Sequence, residues 1–177
     1  MHKKLQTELD EAFLARGVEG VIEADDTKPE QLPYMNACLN EALRMHSTSG
    51  MGLPRIMDSD TEFGGKVFPA GTILSVPSYT IHHLDSVWGD PWEFRPERWL
   101  EGDTKGIEKA LNIFSFGPRS CVGRNVALQE LQIFIATLLY RYDFQLTESS
   151  KGELPVDEGF LRKPRRCQIG IKRRKLE

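Results

Sequence analysis

Cysteine is scarce in this chain: Cys38, Cys121 and Cys167 are the three among 177 residues. They lie far apart, are odd in number and form no Cys-x-x-Cys pair. Neither a zinc site nor a disulfide framework is indicated, and a reducing, intracellular compartment fits best. An excess of positive charge is also lacking, since 23 Lys+Arg against 26 Asp+Glu leave a net charge of −3. That argues against a general nucleic-acid binder, and the locally basic stretch 162–175 reads as a solvated tail. Long hydrophobic runs are missing as well. The most apolar stretch, 126–140, is broken by Gln129, Glu130 and Gln132, too short and too polar to span a bilayer. The polar start from Met1 to Gln6 has no signal-peptide core. No membrane anchor is therefore expected in this chain, and there are no internal repeats.

What is present is ordinary for a globular protein: 40% hydrophobic and 28% charged residues, enough for one domain with a core. In His2–Arg16, Leu5, Leu9 and Phe13 recur four apart between charges, which predicts an amphipathic helix. Gly17, Gly20, Asp25, Asp26 and Pro29 mark a loop with room for one short turn. Pro33 suits the first turn of a second helix, Pro33–Met45, whose candidate buried side is Tyr34, Cys38, Leu39 and Leu43. After Ser47, Gly50, Gly52 and Pro54 break the helix. Short strands are predicted over 55–57, 63–68 (with a turn) and 72–76, then a short helix over 77–83. The segment 86–106, with Trp88, Pro91, Trp92, Phe94, Pro96 and Trp99, reads as ordered coil pinned by buried rings. The longest helix is predicted over 122–140, with Ala127, Leu131, Phe134, Leu138 and Leu139 toward the core. The stretches 143–147 and 166–172 alternate like strands. The expected fold class is mainly α with small β-sheets.

The ten residues from Phe114 to Gly123, Phe-Ser-Phe-Gly-Pro-Arg-Ser-Cys-Val-Gly, carry the chemistry. A cysteine just before a long helix sits in the positive field of the helix N-terminus, where backbone N–H groups favour a thiolate. Gly117 and Gly123 let the backbone approach a flat partner closely. Arg119 can reach an anionic group at that partner's edge, and Phe114 can wall the sulfur off from water. Together these parts suit a thiolate bound axially to haem iron, with Arg119 on a propionate. A buried structural cysteine, or a nucleophile paired with His82 or His83, are the rival readings. Glu41-Ala42-Leu43-Arg44 places a carboxylate and a guanidinium three apart on one helical face.

The ten-residue run resembles the signature Phe-x-x-Gly-x-Arg-x-Cys-x-Gly of the cytochrome P-450 superfamily, with every fixed position filled. Glu41 to Arg44 matches its Glu-x-x-Arg helix, and Phe94-Arg95-Pro96-Glu97-Arg98-Trp99 resembles its Pro-Glu-Arg-Phe segment with Trp for Phe. The resemblance makes Cys121 the axial iron ligand of haem b. It also joins Arg98 to Glu41 and Arg44 in a structural network. Gly52-Leu53-Pro54-Arg55 resembles the segment that crosses the haem edge, which makes Arg55 a second propionate partner. His82 matches a histidine often found near the haem edge, although a packing role remains open because His82-His83-Leu84-Asp85-Ser86 departs from the family's run.

On the same resemblance, residues 1–177 form a single partial domain, the C-terminal portion of the fold, roughly its last third. The family's long central helix, the anchor and most of the distal pocket are expected ahead of His2. The implied activity is haem-dependent monooxygenation of a small apolar or aromatic substrate. Electrons would come from NADPH through a flavoprotein reductase docking near Arg119, Arg124, Lys105 and Lys109, unless those two lysines merely solubilise a loop. The parent enzyme would sit at the endoplasmic-reticulum membrane. An inactive haem-binding fragment or remnant is the alternative. The stretch from Arg44 to Arg55 is similar to that of fungal benzoate para-hydroxylases. There Ser47, Thr48 and Ser49 either offer hydroxyls to a substrate carboxylate or make a plain serine-rich turn.

Overall fold

The computed structural model describes residues 1–18, 20–148 and 154–176. Helix α1, His2–Arg16, buries Leu5, Leu9 and Phe13 and ends where Gly17 turns left-handed at φ 61°. Its cap is completed by the Val18 N–H, which donates to the Phe13 carbonyl at 2.9 Å. A 3-10 turn at Ala24–Thr27 follows, and α2 runs over Pro33–Met45 with Pro33 in its first turn. The free N–H groups at its start are met from another helix. Tyr34 and Met35 donate to the two carboxylate oxygens of Glu8, each at 2.7 Å, a long-range cap that also suits the helix dipole.

The core lies between α1, α2 and α6, the last spanning Arg124–Arg141. Leu5, Leu9, Phe13, Leu32 and Met35 meet Ala136 there, with Phe13 edge-on to Tyr140 at 4.9 Å between ring centroids. Two expected faces need correction. On α6, only Leu139 of the five expected residues packs on this core. Ala136 is buried, Ile135 and Tyr140 pack beside it, and Phe134 is 63% exposed. A helix apolar on most sides does not choose a face by periodicity. On α2, Tyr34 is buried and Cys38 and Leu39 pack on this core as expected, but the other fully covered residues are Met35, Ala37, Glu41 and Arg44, while Leu43 is half-buried. Two buried polar residues sit on that helix because it has two covered sides, one apolar and one lined with hydrogen-bond partners.

Small antiparallel pairs decorate the helices. Strand β1 (Arg55–Ile56) pairs with β4 (Ile73–Leu74), with Arg55 opposite Leu74. Opposed residues share a face, and this pair turns one way while Ile56 and Ile73 are exposed on the other. Strands β2 (Thr61–Phe63) and β3 (Lys66–Phe68) form a hairpin. Its two-residue turn, Gly64-Gly65, has φ 59° and 74°, the left-handed pair that such a tight turn requires. Helices α3 (Ser78–His82), α4 (Asp85–Trp88) and α5 (Lys105–Ala110) are short. The 86–106 coil is more structured than expected: α4, a 3-10 turn at Pro96–Trp99 and the start of α5 fall inside it. Trp88 is buried as a pin, whereas Trp92 is exposed. Beyond α6, β5 (Tyr142–Leu146) pairs with β8 (Ile169–Arg173), and β6 (Val156–Asp157) with β7 (Lys163–Pro164).

Candidate functional site

One cavity of about 1080 Å³ lies against these small sheets and the loop ahead of α6, at the upper end of small-molecule sites. Its walls are largely apolar, with Leu53, Phe63, Phe68, Leu74, Val76 and Phe114 among them. Three reactive or charged side chains reach it: Cys121, Arg119 and Arg55. No carboxylate is in its lining, and among the described residues neither arginine has an ion-pair partner.

The loop is shaped locally. Ser115 and Gly117 take left-handed backbone at φ 57° and 69°, and Gly117–Arg119 makes a 3-10 turn in which Ser120 N–H returns to the Gly117 carbonyl at 3.0 Å. The Cys121 N–H donates to the Phe114 carbonyl at 2.8 Å, closing the loop. Gly123 is the N-cap of α6, and a methyl placed on its α-carbon would sit 3.9 Å from the Cys121 sulfur. The thiol therefore lies over the helix N-terminus, exposed toward the cavity. Gly117 and Gly123 shape the loop without lining the cavity.

Gly52 is fixed by its surroundings. It has φ 73°, and an added β-carbon would fall 2.0 Å from the Val76 carbonyl oxygen. The two backbones can touch only with glycine there. Ser47, Thr48 and Ser49 precede it on the cavity wall. The Ser47 hydroxyl is already committed, donating to the Arg44 carbonyl at 3.2 Å and meeting His82 Nδ1. The Thr48 and Ser49 hydroxyls have no protein partner among the described residues.

Behind the cavity, Glu41 is fully buried and accepts five hydrogen bonds. Oε1 takes Arg44 Nη2 at 2.8 Å, Arg98 Nε at 3.1 Å and the Arg95 N–H at 3.0 Å. Oε2 takes Arg44 Nε at 3.0 Å and the Trp99 indole at 2.9 Å. Burial pushes this carboxyl up, but the Arg44 bonds, the Arg95 N–H and the Trp99 indole outweigh it and hold its pKa below the usual carboxylate range. Two guanidiniums against one carboxylate leave a surplus positive charge, which backbone carbonyls absorb. Arg44 donates to His82 O at 2.7 Å and Pro91 O at 2.8 Å; Arg98 donates to the Trp88 carbonyl, and to Gly89 O at 3.2 Å. The network thus clamps α2 to the coil that carries the Pro-Glu-Arg segment. Trp99 and the Arg95 backbone are partners that the Glu-x-x-Arg spacing did not reveal. Trp99 in place of Phe was the available signal, because an indole can donate.

His82 does not line the cavity. It is fully buried, with its ring nitrogens engaged by Ser47, Arg44 and the Asn112 backbone. Its contacts are hydrogen bonds to the end of α2 and to the loop ahead of Cys121. Arg124, Lys105 and Lys109 are all exposed. Asn112 also lines the cavity, and its Oδ1 is buried with no donor among the described residues.

A mainly helical fold with small antiparallel sheets and one apolar, cysteine-walled cavity is the class that these features define. A model of the cytochrome P450 family matches residues 1–171. Benzoate 4-monooxygenase bphA of Aspergillus niger is 40% identical over 177 residues, covering 97% of this chain and 33% of that protein. Cytochrome P450 monooxygenase BOT4 of Botryotinia fuckeliana is 42% identical over 124 residues, 70% of this chain and 23% of that one. Among solved structures, a zebra fish cytochrome P450 with abiraterone superposes with a TM-score of 0.84 at 30% identity, covering 98% of this chain and 39% of that chain. The chain belongs to the cytochrome P450 family. It spans about a third of the length of the curated relatives it matches.

The family implies haem, and the residues present fit it. A flat, apolar, dianionic macrocycle needs greasy walls, cations free of other partners and a soft donor for iron. The cavity supplies Phe and Leu side chains, two arginines without carboxylate partners and one thiol. Among the described residues no helix is long and apolar enough to cross a membrane.

Proposed function

We propose that this chain forms the haem-holding part of a haem-thiolate monooxygenase. Cys121 would hold the iron of haem b through its sulfur, Arg119 and Arg55 would take the propionates, and Phe114 would shield the sulfur. Gly117 and Gly123 shape the loop that presents the sulfur. When bound, the haem supplies the activation of O2 that puts one oxygen atom into a small organic substrate and releases the other as water. The protein's own part is to hold the sulfur as thiolate at a helix N-terminus, to neutralise the propionates and to exclude water with the apolar wall. The observation that carries this reading is the meeting of Cys121 on one apolar cavity with two arginines that have no ion-pair partner among the described residues.

Electrons are assigned to a flavoprotein reductase fed by NADPH, attracted by the exposed cations Arg124, Lys105 and Lys109. The longer enzyme is assigned to the endoplasmic-reticulum membrane on family resemblance. For the substrate, an aromatic carboxylic acid is the favoured class. Thr48 and Ser49 line the cavity with hydroxyls that have no protein partner among the described residues, and the bphA relative is named a benzoate 4-monooxygenase. Ser47, whose hydroxyl is committed elsewhere, is left out of that role.

A reduced carbon-monoxide difference spectrum of the haem-loaded protein tests the core of this. A red-shifted, thiolate-type Soret band in the wild type that vanishes in Cys121→Ser is expected. A band that survives the substitution would reject Cys121 as the ligand. For the substrate, Thr48→Ala with Ser49→Ala should weaken the benzoate-induced spectral shift by roughly tenfold or more, the worth of a hydrogen bond to a charged group. Unchanged benzoate affinity would remove both hydroxyls from recognition.

A further inference from the structure

His82 is fully buried, lies outside the cavity and is no member of the Glu41 ion-pair set, yet it touches the surroundings of both. Its carbonyl oxygen accepts from Arg44 Nη1 at 2.7 Å. The Nδ1 edge of its ring faces the end of α2, meeting the Ser47 hydroxyl and the Arg44 carbonyl oxygen, the latter at 3.1 Å. Its Nε2 accepts the backbone N–H of Asn112 at 2.8 Å. A backbone N–H can only donate, so Nε2 is bare and the ring proton sits on Nδ1. The imidazole therefore bridges two parts of the chain that are 65 positions apart from Ser47 to Asn112. Asn112 leads through Ile113 to Phe114, whose carbonyl holds the Cys121 N–H at 2.8 Å. A path of hydrogen bonds, joined by the covalent segment from Asn112 to Phe114, thus runs from Glu41 and Arg44, through His82, to the backbone of Cys121.

We propose that His82 is a positioning residue for Cys121: its Nε2 fastens the cysteine loop to the end of α2 and so fixes where the sulfur stands on the cavity wall. The inference rests on the haem-thiolate reading of Cys121 given above. It also explains why a histidine suits this buried place. The ring has two hydrogen-bonding edges at a separation that spans helix and loop, and its neutral form offers an acceptor to the loop and a donor to the helix. Protonating Nε2 would set two donors face to face and release the loop. The charged and titratable groups near the ring are Arg44 from α2 and the adjacent His83, while Trp88 of α4 stands edge-on with its centroid 6.1 Å away. Burial, with those positive charges and against the Arg44 carbonyl bond, holds the His82 pKa down to about 4. The fastening is intact at neutral pH.

Two substitutions separate the ring's edges. His82→Gln carries an amide oxygen to about the place of Nε2 and can keep the Asn112 bond. His82→Asn reaches only the Nδ1 edge and cannot. In the haem-loaded protein, with far-UV circular dichroism confirming unchanged helix content, H82Q should keep the wild-type ratio of thiolate-type to thiolate-free carbon-monoxide bands within about twofold. H82N should lower that ratio by roughly tenfold. A packing role alone would make the two variants alike, or favour the smaller change of shape regardless of edge. Amide exchange supplies a readout independent of haem. The Asn112 N–H should exchange slowly in the haem-free wild type and H82Q, and at least tenfold faster in H82N. Equal bands and equal exchange in both variants would overturn the inference. Rapid exchange of the Asn112 N–H in the wild type would also overturn it, whether or not H82N folds. A wild type without any thiolate-type band would reject the haem-thiolate reading itself, a distinct outcome from a wild-type band that H82N leaves unchanged.

Discussion

Glu41 shows how one side chain can be held by its neighbours. Its carboxylate is fully buried and has five donors, so removing it leaves two buried guanidiniums without their anion. Glu41→Ala should cost about 3–5 kcal/mol, the usual penalty for breaking a buried charged pair from one side. Urea unfolding monitored by circular dichroism would register this, and a loss under 1 kcal/mol would show that the carbonyls alone satisfy the arginines. Trp99→Phe removes a single donor and keeps the ring, so about 1–2 kcal/mol is expected. At the cavity, Arg55→Leu and Arg119→Leu should each weaken haem affinity by roughly tenfold or more in a spectroscopic titration. An unaltered affinity would take that arginine off the propionates.

At the scale of elements, the contact between the 47–54 loop and the chain after β4 depends on Gly52. Any β-carbon there meets the Val76 carbonyl oxygen and must also adopt a left-handed φ. Gly64 has a similar φ with nothing within 4 Å of an added β-carbon. The pair separates strain from crowding. Gly64→Ala should cost about 1 kcal/mol and Gly52→Ala at least about 3, since the backbone must move to admit it. Comparing their thermal midpoints tests this; equal shifts would mean that the 47–54 loop yields freely. The element most open to misreading was α6. Its sequence is apolar on several sides, and α1 and the 3-10 turn at Ala24–Thr27 decide which stripe is covered. In α1, by contrast, Leu5, Leu9 and Phe13 form a single stripe among charges, and the structure buries those three.

For the molecule as a whole, pH dependence follows from groups held neutral or charged by burial. His82 has a folded pKa of about 4, while His83 and His46 are lowered by burial as well. An unfolded chain binds protons at these sites near pH 6.5, and the folded one does not. Stability is therefore greatest above about 6.5 and falls as pH drops toward 4. His82 alone contributes about 2 kcal/mol of that loss by pH 5. Glu41, whose folded pKa is depressed, adds a loss that begins as pH falls into the ordinary carboxylate range and continues down to its folded pKa. Urea midpoints at pH 7 and pH 5 should differ accordingly, and H82Q should flatten the slope between them. A slope equal to wild type in H82Q would contradict the buried neutral state of His82.

The two framing helices, the glycine-bounded cysteine loop and the Glu-x-x-Arg spacing were all legible in the amino-acid sequence. Each depends on residues close together along the chain: a four-residue apolar stripe, a proline in a first turn, a cysteine just ahead of a helix. The tertiary structure decided what depends on distant residues. It alone showed Glu8 capping α2, Trp99 and the Arg95 N–H completing the shell of Glu41, and His82 facing Asn112 instead of the cavity. A buried polar atom takes whichever partner the packing brings within 3 Å, and nothing in the local pattern of residues names that partner in advance.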